Sequence, residues 1–161
     1  MKRLVKLSLL AMCSAAAVSA VLAQDAPAPP TPEQTAQAAV DTRQGLQKVM
    51  GFEMGPLGAM LKNKMPFDAA VVGKNVTNIA NLGSLQPDVF ATDTRKFTLK
   101  TKAREGIWTN KSDFDAKSND LVKAATDAAA AAKTGDKGAT LKAVAGVGKA
   151  CGACHDNFRD K

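Results

Sequence analysis

Histidine and tryptophan each occur once in the 161 residues, tyrosine is absent, and aromatic residues make up only 4%. A core without stacked rings must rest on aliphatic and small side chains, and alanine supplies much of the 45% hydrophobic content, which suits closely packed helices. No stretch shows a convincing strand pattern, and no internal repeat is visible. The lysines are scattered through the helical segments without neighbouring aromatics, so a nucleic-acid surface has little support. The length fits one ordinary domain with room for an export signal and a spacer.

The one long apolar run is short for a bilayer. It extends from Leu7 to about Val21, follows Lys2, Arg3 and Lys6, and ends in Val21-Leu22-Ala23 before a proline-rich polar stretch. That is the pattern of a cleaved secretory signal over residues 1–23, with Ala26 as a second cleavage position. Cys13 lies inside the run, behind Met12 rather than a small residue, and leaves with it. Cleavage leaves 19 basic against 15 acidic residues, a mildly basic +4. Residues 24–30, QDAPAPP, read as an extended spacer, and residues 31–161 as the folded domain.

Four helices are predicted in that domain. Thr31-Pro32-Glu33 supplies a cap, a proline at the first helical position and an acidic first turn. Leu46, Met50, Met54, Leu57 and Leu61 then form an inward stripe to about Lys62. Asp68 caps a second helix carrying Val72, Val76, Ile79 and Leu82 to about Ser84. From Leu85 to about Lys102 periodicity disappears, which predicts a long surface crossover. A third helix presents Ile107, Trp108, Phe114, Leu121, Ala125, Ala128 and Ala132, with Ser112 as an alternative later cap and Thr134-Gly135-Asp136 as its end. The fourth, from about Asp136 to Arg159, places Leu141, Val144, Val147, Gly148, Cys151, His155 and Phe158 on one side. The fold class is therefore all-α, an antiparallel four-helix bundle.

Cys151-Gly152-Ala153-Cys154-His155 carries the chemistry. On a helix, thiols three residues apart and an imidazole one residue further project from one surface. That arrangement attaches one haem c through two thioethers, with His155 as the proximal iron ligand. A thioredoxin-like redox pair would need a βαβ setting and a helix N-terminus, whereas this motif lies near a helix C-terminus. A zinc site would need a fourth ligand, and beyond these three residues only carboxylates remain. A plain disulfide would leave His155 without a role.

With these residues in view, the whole mature domain resembles the class II c-type cytochromes, which include cytochrome c prime and its low-spin relatives. The matching segments are Arg43-Gln44, Lys62 to Asp68 with its Pro-Phe-Asp, Ile107-Trp108, and Cys151 through Arg159. The resemblance implies a four-helix bundle with haem attached to the C-terminal helix. It also implies that Arg43 and Gln44 lie near the haem propionates, that Trp108 packs beside the pocket, and that Arg159 stands beside the proximal imidazole. For Arg43 the competing reading is a solvated helix charge.

The family's distal position, four residues after the Arg, holds an apolar shield or, in low-spin members, a Met ligand. Here it is Gln47. Gln47 could donate to a bound ligand, bind iron weakly through its amide oxygen, or face solvent while Leu46 shields the iron. Met50, one turn on, is a candidate sixth ligand or ordinary core. The resemblance accordingly implies a periplasmic monohaem carrier of single electrons with soluble or membrane-bound redox partners, or else a five-coordinate protein that binds nitric oxide or carbon monoxide. A homodimer is compatible with either. An enzyme is not expected, because no distal histidine exists and haem consumes the thiols.

Overall fold

The computed structural model describes residues 28–161, so the expected signal segment and most of the spacer lie outside the described residues. Thr31 opens the first helix, α1 (Pro32–Leu61): its hydroxyl accepts from the Gln34 amide at 3.2 Å while the Gln34 side chain accepts from the Thr31 amide at 2.8 Å. Pro56 lies within α1 without ending it. The Asp68 carboxylate accepts from the amides of Ala70 and Val71 and starts α2 (Ala69–Ser84).

The expected crossover holds a short helix that the sequence did not announce, α3 (Gln86–Val89), with Pro87 in the first turn where a missing N–H costs nothing. The expected third helix is interrupted. Asn110, at φ −133° and ψ 55°, separates the single turn α4 (Gly106–Thr109) from α5 (Lys111–Lys133). Ser112 therefore lies inside α5 rather than capping it. The turn after α5 uses Gly135 at φ 73°, a left-handed conformation that favours glycine. Asp136 then accepts from the Ala139 amide and caps α6 (Lys137–Phe158).

The four long helices α1, α2, α5 and α6 form the bundle, and the crossover passes over one end. Short side chains let α5 approach both of its neighbours: Ala125 and Ala128 are fully buried, and a Cβ on Gly83 of α2 would stand 3.1 Å from Val122 Cγ2 of α5. Val72, Val76 and Ile79 of α2 and Val144 and Val147 of α6 complete this centre. On α1, Met50 and Leu57 face inward as expected, but Leu61 turns outward and Met60 is buried instead. The helix phase near its C-terminus accounts for the exchange, since one residue is about 100° of rotation. A polar seam ties α1 to α2, where Asn75 donates to the Glu53 carbonyl at 2.9 Å and Asn78 to its carboxylate at 3.0 Å. By contrast α1 meets α6 only sparsely.

Arg43 fastens the crossover to α1. Its side chain is buried at 2% exposure; Nε donates to the Val89 carbonyl at 3.2 Å, one terminal nitrogen to Thr94 Oγ1 at 3.0 Å, and the other to the Thr92 carbonyl. The guanidinium also lies 5.3 Å from the Phe90 ring centroid and 5.1 Å from that of Trp108. Desolvation lowers its pKa and the Asp93 charge opposes that, so the group stays cationic. Charged hydrogen bonds of roughly 1.5–3 kcal/mol each and two ring contacts offset a desolvation cost of several kcal/mol. The solvated-charge reading of Arg43 does not hold.

Removing this cation while keeping its length leaves the buried Thr94 hydroxyl and the half-buried Val89 carbonyl without their donor. Arg43→Met should cost about 3 kcal/mol in urea denaturation and speed amide exchange across residues 89–94, whereas Lys48→Met on the exposed face of α1 should stay within about 0.5 kcal/mol.

Candidate functional site around the last turns of α6

α6 positions its two thiols in different apolar surroundings. Cys151 packs against the main core, and Cys154 against a second cluster formed by Phe90, Ile107, Phe114 and Phe158, with Ala103 and Trp108 at its edge. Phe114 anchors that cluster, its ring centroid 5.0 Å from Phe90 and 5.4 Å from Phe158. His155, one residue beyond Cys154, is exposed.

Gly148 and His155 were expected on the inward side of the fourth helix, yet both reach the surface. The sparse meeting of α1 and α6 explains this, because no side chain covers that strip. Gly148 and Gly152 show the same openness: a Cβ on either would find no heavy atom within 4 Å.

Burial pushes both thiols up, Cys154 to about 11, with the neighbouring Cys151 adding to it and Lys117 opposing. Both are therefore protonated at neutral pH, the opposite of what an attacking dithiol requires. Desolvation lowers the His155 pKa, Arg159 lowers it further, and Asp156 works against both. A neutral imidazole is the form that binds a metal. Among the described residues no group of three or more His, Cys, Asp or Glu side chains is arranged to hold a metal ion by itself.

The other expected site residues divide into two groups. Trp108 is half-buried, donates through Nε1 to the Phe90 carbonyl at 3.0 Å, and shares the Cys154 cluster. Together with Arg43, it is brought to the same end of the molecule as the second cysteine. Gln44 is exposed and donates to the Lys100 carbonyl at 2.9 Å, while Gln47, also exposed, donates to Gln86 Oε1 at 3.1 Å. Leu46 is half-buried against the main core, and Met50, at 7% exposure, is packed within it. Arg159 is exposed, its amide donating to the His155 carbonyl at 3.2 Å.

Sequence reasoning missed the strap that closes this end. Residues 102–104 run antiparallel to residues 158–160: the Arg104 amide donates to the Phe158 carbonyl at 3.1 Å, the Asp160 amide to the Lys102 carbonyl at 2.9 Å, and Ala103 pairs with Arg159. Arg104 reinforces it through the Asp160 carboxylate and the Asp156 carbonyl, both at 2.9 Å. Gln86, 5% exposed and facing Gln47, was likewise missed. Neither belongs to a periodic segment, and the isolated Phe90 between Pro87 and the basic stretch was the one local sign that the crossover folds inward.

This donor set fits haem c. Two half-buried thiols three residues apart and an adjacent neutral imidazole are the groups that such a cofactor takes, and the uncovered glycine strip leaves room for a flat ring beside them.

The family described as Cytochrome C' matches residues 38–159. A cytochrome c-554 of Cereibacter sphaeroides is 35% identical over 124 residues, covering 76% of this chain and 92% of the relative. A cytochrome c' of the same species is 34% identical over 155 residues, covering 95% of this chain and 97% of the relative. Among solved structures, a nitric oxide complex of a mutant cytochrome c prime from Alcaligenes xylosoxidans superposes with a TM-score of 0.69 at 30% identity, covering 78% of this chain and 96% of that one. Fold, motif and relatives agree: the chain belongs to the cytochrome c' family of four-helix-bundle proteins with covalently attached haem c.

Proposed function

We propose that the chain is exported to the periplasm as residues 24–161 and carries single electrons on one haem c, held by thioethers from Cys151 and Cys154 with His155 on the iron. The observation that carries this reading is the arrangement at the end of α6, where each thiol is lodged in its own apolar cluster and the imidazole beside them stands on an uncovered strip. Bound haem supplies one iron that cycles by a single electron and accepts a small diatomic ligand. The basic, apolar and small-residue order of residues 1–23 supports export.

The chain's own residues set the surroundings. Arg43 spends three N–H groups on the crossover, and a guanidinium has five, so two remain for a propionate. Gln44 stands one residue further along the same helix, Trp108 packs beside Cys154, and Arg159 keeps positive charge near the imidazole. We assign no catalytic residue. Val49 and Phe52, 46% and 77% exposed on α1, provide an apolar surface that a homodimer would cover.

Gas binding is the second reading, and the distal residues favour keeping it. Burial of Met50 within the core supports packing over ligation, and Gln47 offers only an amide, half of whose donor capacity goes to Gln86. An iron without a strong sixth ligand is open to nitric oxide or carbon monoxide, in line with the nitric oxide complex formed by the Alcaligenes relative.

Intact mass of exported holoprotein should equal residues 24–161 plus one haem, and colourless material with the bare polypeptide mass ends the carrier reading. Cys154→Ala should leave a single thioether and shift the reduced α-band, while His155→Ala should lose the proximal ligand and its spectrum. Met50→Ala should leave the ferric spin state and the carbon monoxide difference spectrum unchanged; conversion of a low-spin, carbon-monoxide-inert protein into a reactive one would make Met50 the sixth ligand instead.

A further inference from the structure

The ten residues Arg95–Arg104 include five basic side chains and no acidic one, the densest run of one sign among the described residues. Two of those charges are answered locally. Arg95 forms an ion pair with Asp93 at 2.6 Å, and Arg104 with Asp160 at 2.9 Å. Lys96, Lys100 and Lys102 are exposed and have no ion-pair partner among the described residues, and the neighbouring Arg159 and Lys161 add two more exposed cations. The backbone beneath them is anchored on both sides, by Gln44 of α1 at the Lys100 carbonyl and by the Asp160 amide at the Lys102 carbonyl. Ala103, between these anchors, packs in the cluster that holds Cys154.

We infer that this strap is a docking surface for an acidic partner protein that exchanges electrons with the chain, an inference that rests on the carrier reading above. Its backbone is held at both anchors, and its Ala103 packs against the same aromatic cluster as Cys154. A partner drawn to it is therefore drawn to the end of the molecule that carries the second thiol. A cluster of unanswered cations raises the encounter rate of an oppositely charged surface and does so less as salt increases. Nucleic acid fits less well, because Phe97 and Leu99 are half-buried and no exposed ring stands among the lysines for bases to stack on.

The test is stopped-flow reduction of the oxidised holoprotein by two donors, the acidic protein flavodoxin hydroquinone and a neutral reduced flavin. Replacing Lys96, Lys100 and Lys102 together by Glu should lower the flavodoxin rate about tenfold at low ionic strength and leave the neutral-flavin rate unchanged. The control Lys74→Glu, Lys133→Glu, Lys142→Glu, with the same net charge on exposed positions elsewhere, should lower it less than about twofold. Equal flavodoxin rates for wild type and the strap variant, or equal losses in both triple variants, would overturn the surface while leaving the carrier intact. Wild-type co-sedimentation with phosphatidylglycerol vesicles, lost in the strap variant and accompanied by unchanged flavodoxin rates, would replace the protein partner with a lipid surface. Failure of the neutral flavin to reduce the haem would instead remove the carrier reading, and the docking surface with it.

Discussion

A buried guanidinium must have its N–H groups met, and that requirement at Arg43 shapes one whole end of the molecule. The cation sits on α1, but its acceptors are the Val89 and Thr92 carbonyls and the Thr94 hydroxyl, all in the crossover. Leaving the buried guanidinium and the buried Thr94 hydroxyl unpaired would cost more than their bonds contribute, so the crossover has little freedom to lie elsewhere. Phe90 and Trp108 follow, both within cation–π range of the same group, and Phe90 carries Phe114 and Phe158 with it. The apolar surroundings of Cys154 are assembled from these rings. One polar contact set thus reaches the cofactor attachment point through packing rather than through direct contact.

The opposite requirement, close approach without side-chain bulk, governs the rest. Ala125, Ala128 and Gly83 bring α5 against α2. Close packing of α5 against α2 and α6 leaves the slack between α1 and α6, where Gly148, Gly152 and His155 remain uncovered. A chain with bulkier residues in α5 would spread that slack over the bundle. The low aromatic content noted at the outset therefore has a positional meaning, since nearly all the buried rings gather at the crossover end and the centre is left to Val, Ile, Leu, Met and Ala.

Three of the four long helices, α1, α2 and α6, were legible because each carries its own start: Thr31, Asp68 and Asp136 accept the backbone N–H bonds their positions imply. The attachment motif was legible for a similar reason, being local and held on a single helix. The crossover was not. Its order comes from Arg43, Gln44 and the pairing of 102–104 with 158–160, contacts between residues some fifty positions apart that leave no periodic trace. The break at Asn110 escaped for the complementary reason, since the apolar positions on both sides of it continue one pattern while the backbone between them leaves the helix. Leu61 shows the limit of a stripe read by spacing, as a pattern correct for four turns loses its phase at the last.

The chemistry open to the chain follows from what is left once the motif is used. On the proposed attachment the single imidazole would be taken by the iron and both thiols by the ring, which would leave no other imidazole to move protons there. At the position the proposed reading makes distal, α1 carries the amide of Gln47, steadied by the buried Gln86 of α3. An amide neither takes nor gives a proton near neutral pH, and it competes poorly for iron against a thioether or imidazole. It can orient a bound diatomic by a hydrogen bond, but it cannot drive bond cleavage. On the proposed reading these residues would supply access and polarity, and the chemistry would be that of one iron, a change by one electron or the holding of one small ligand.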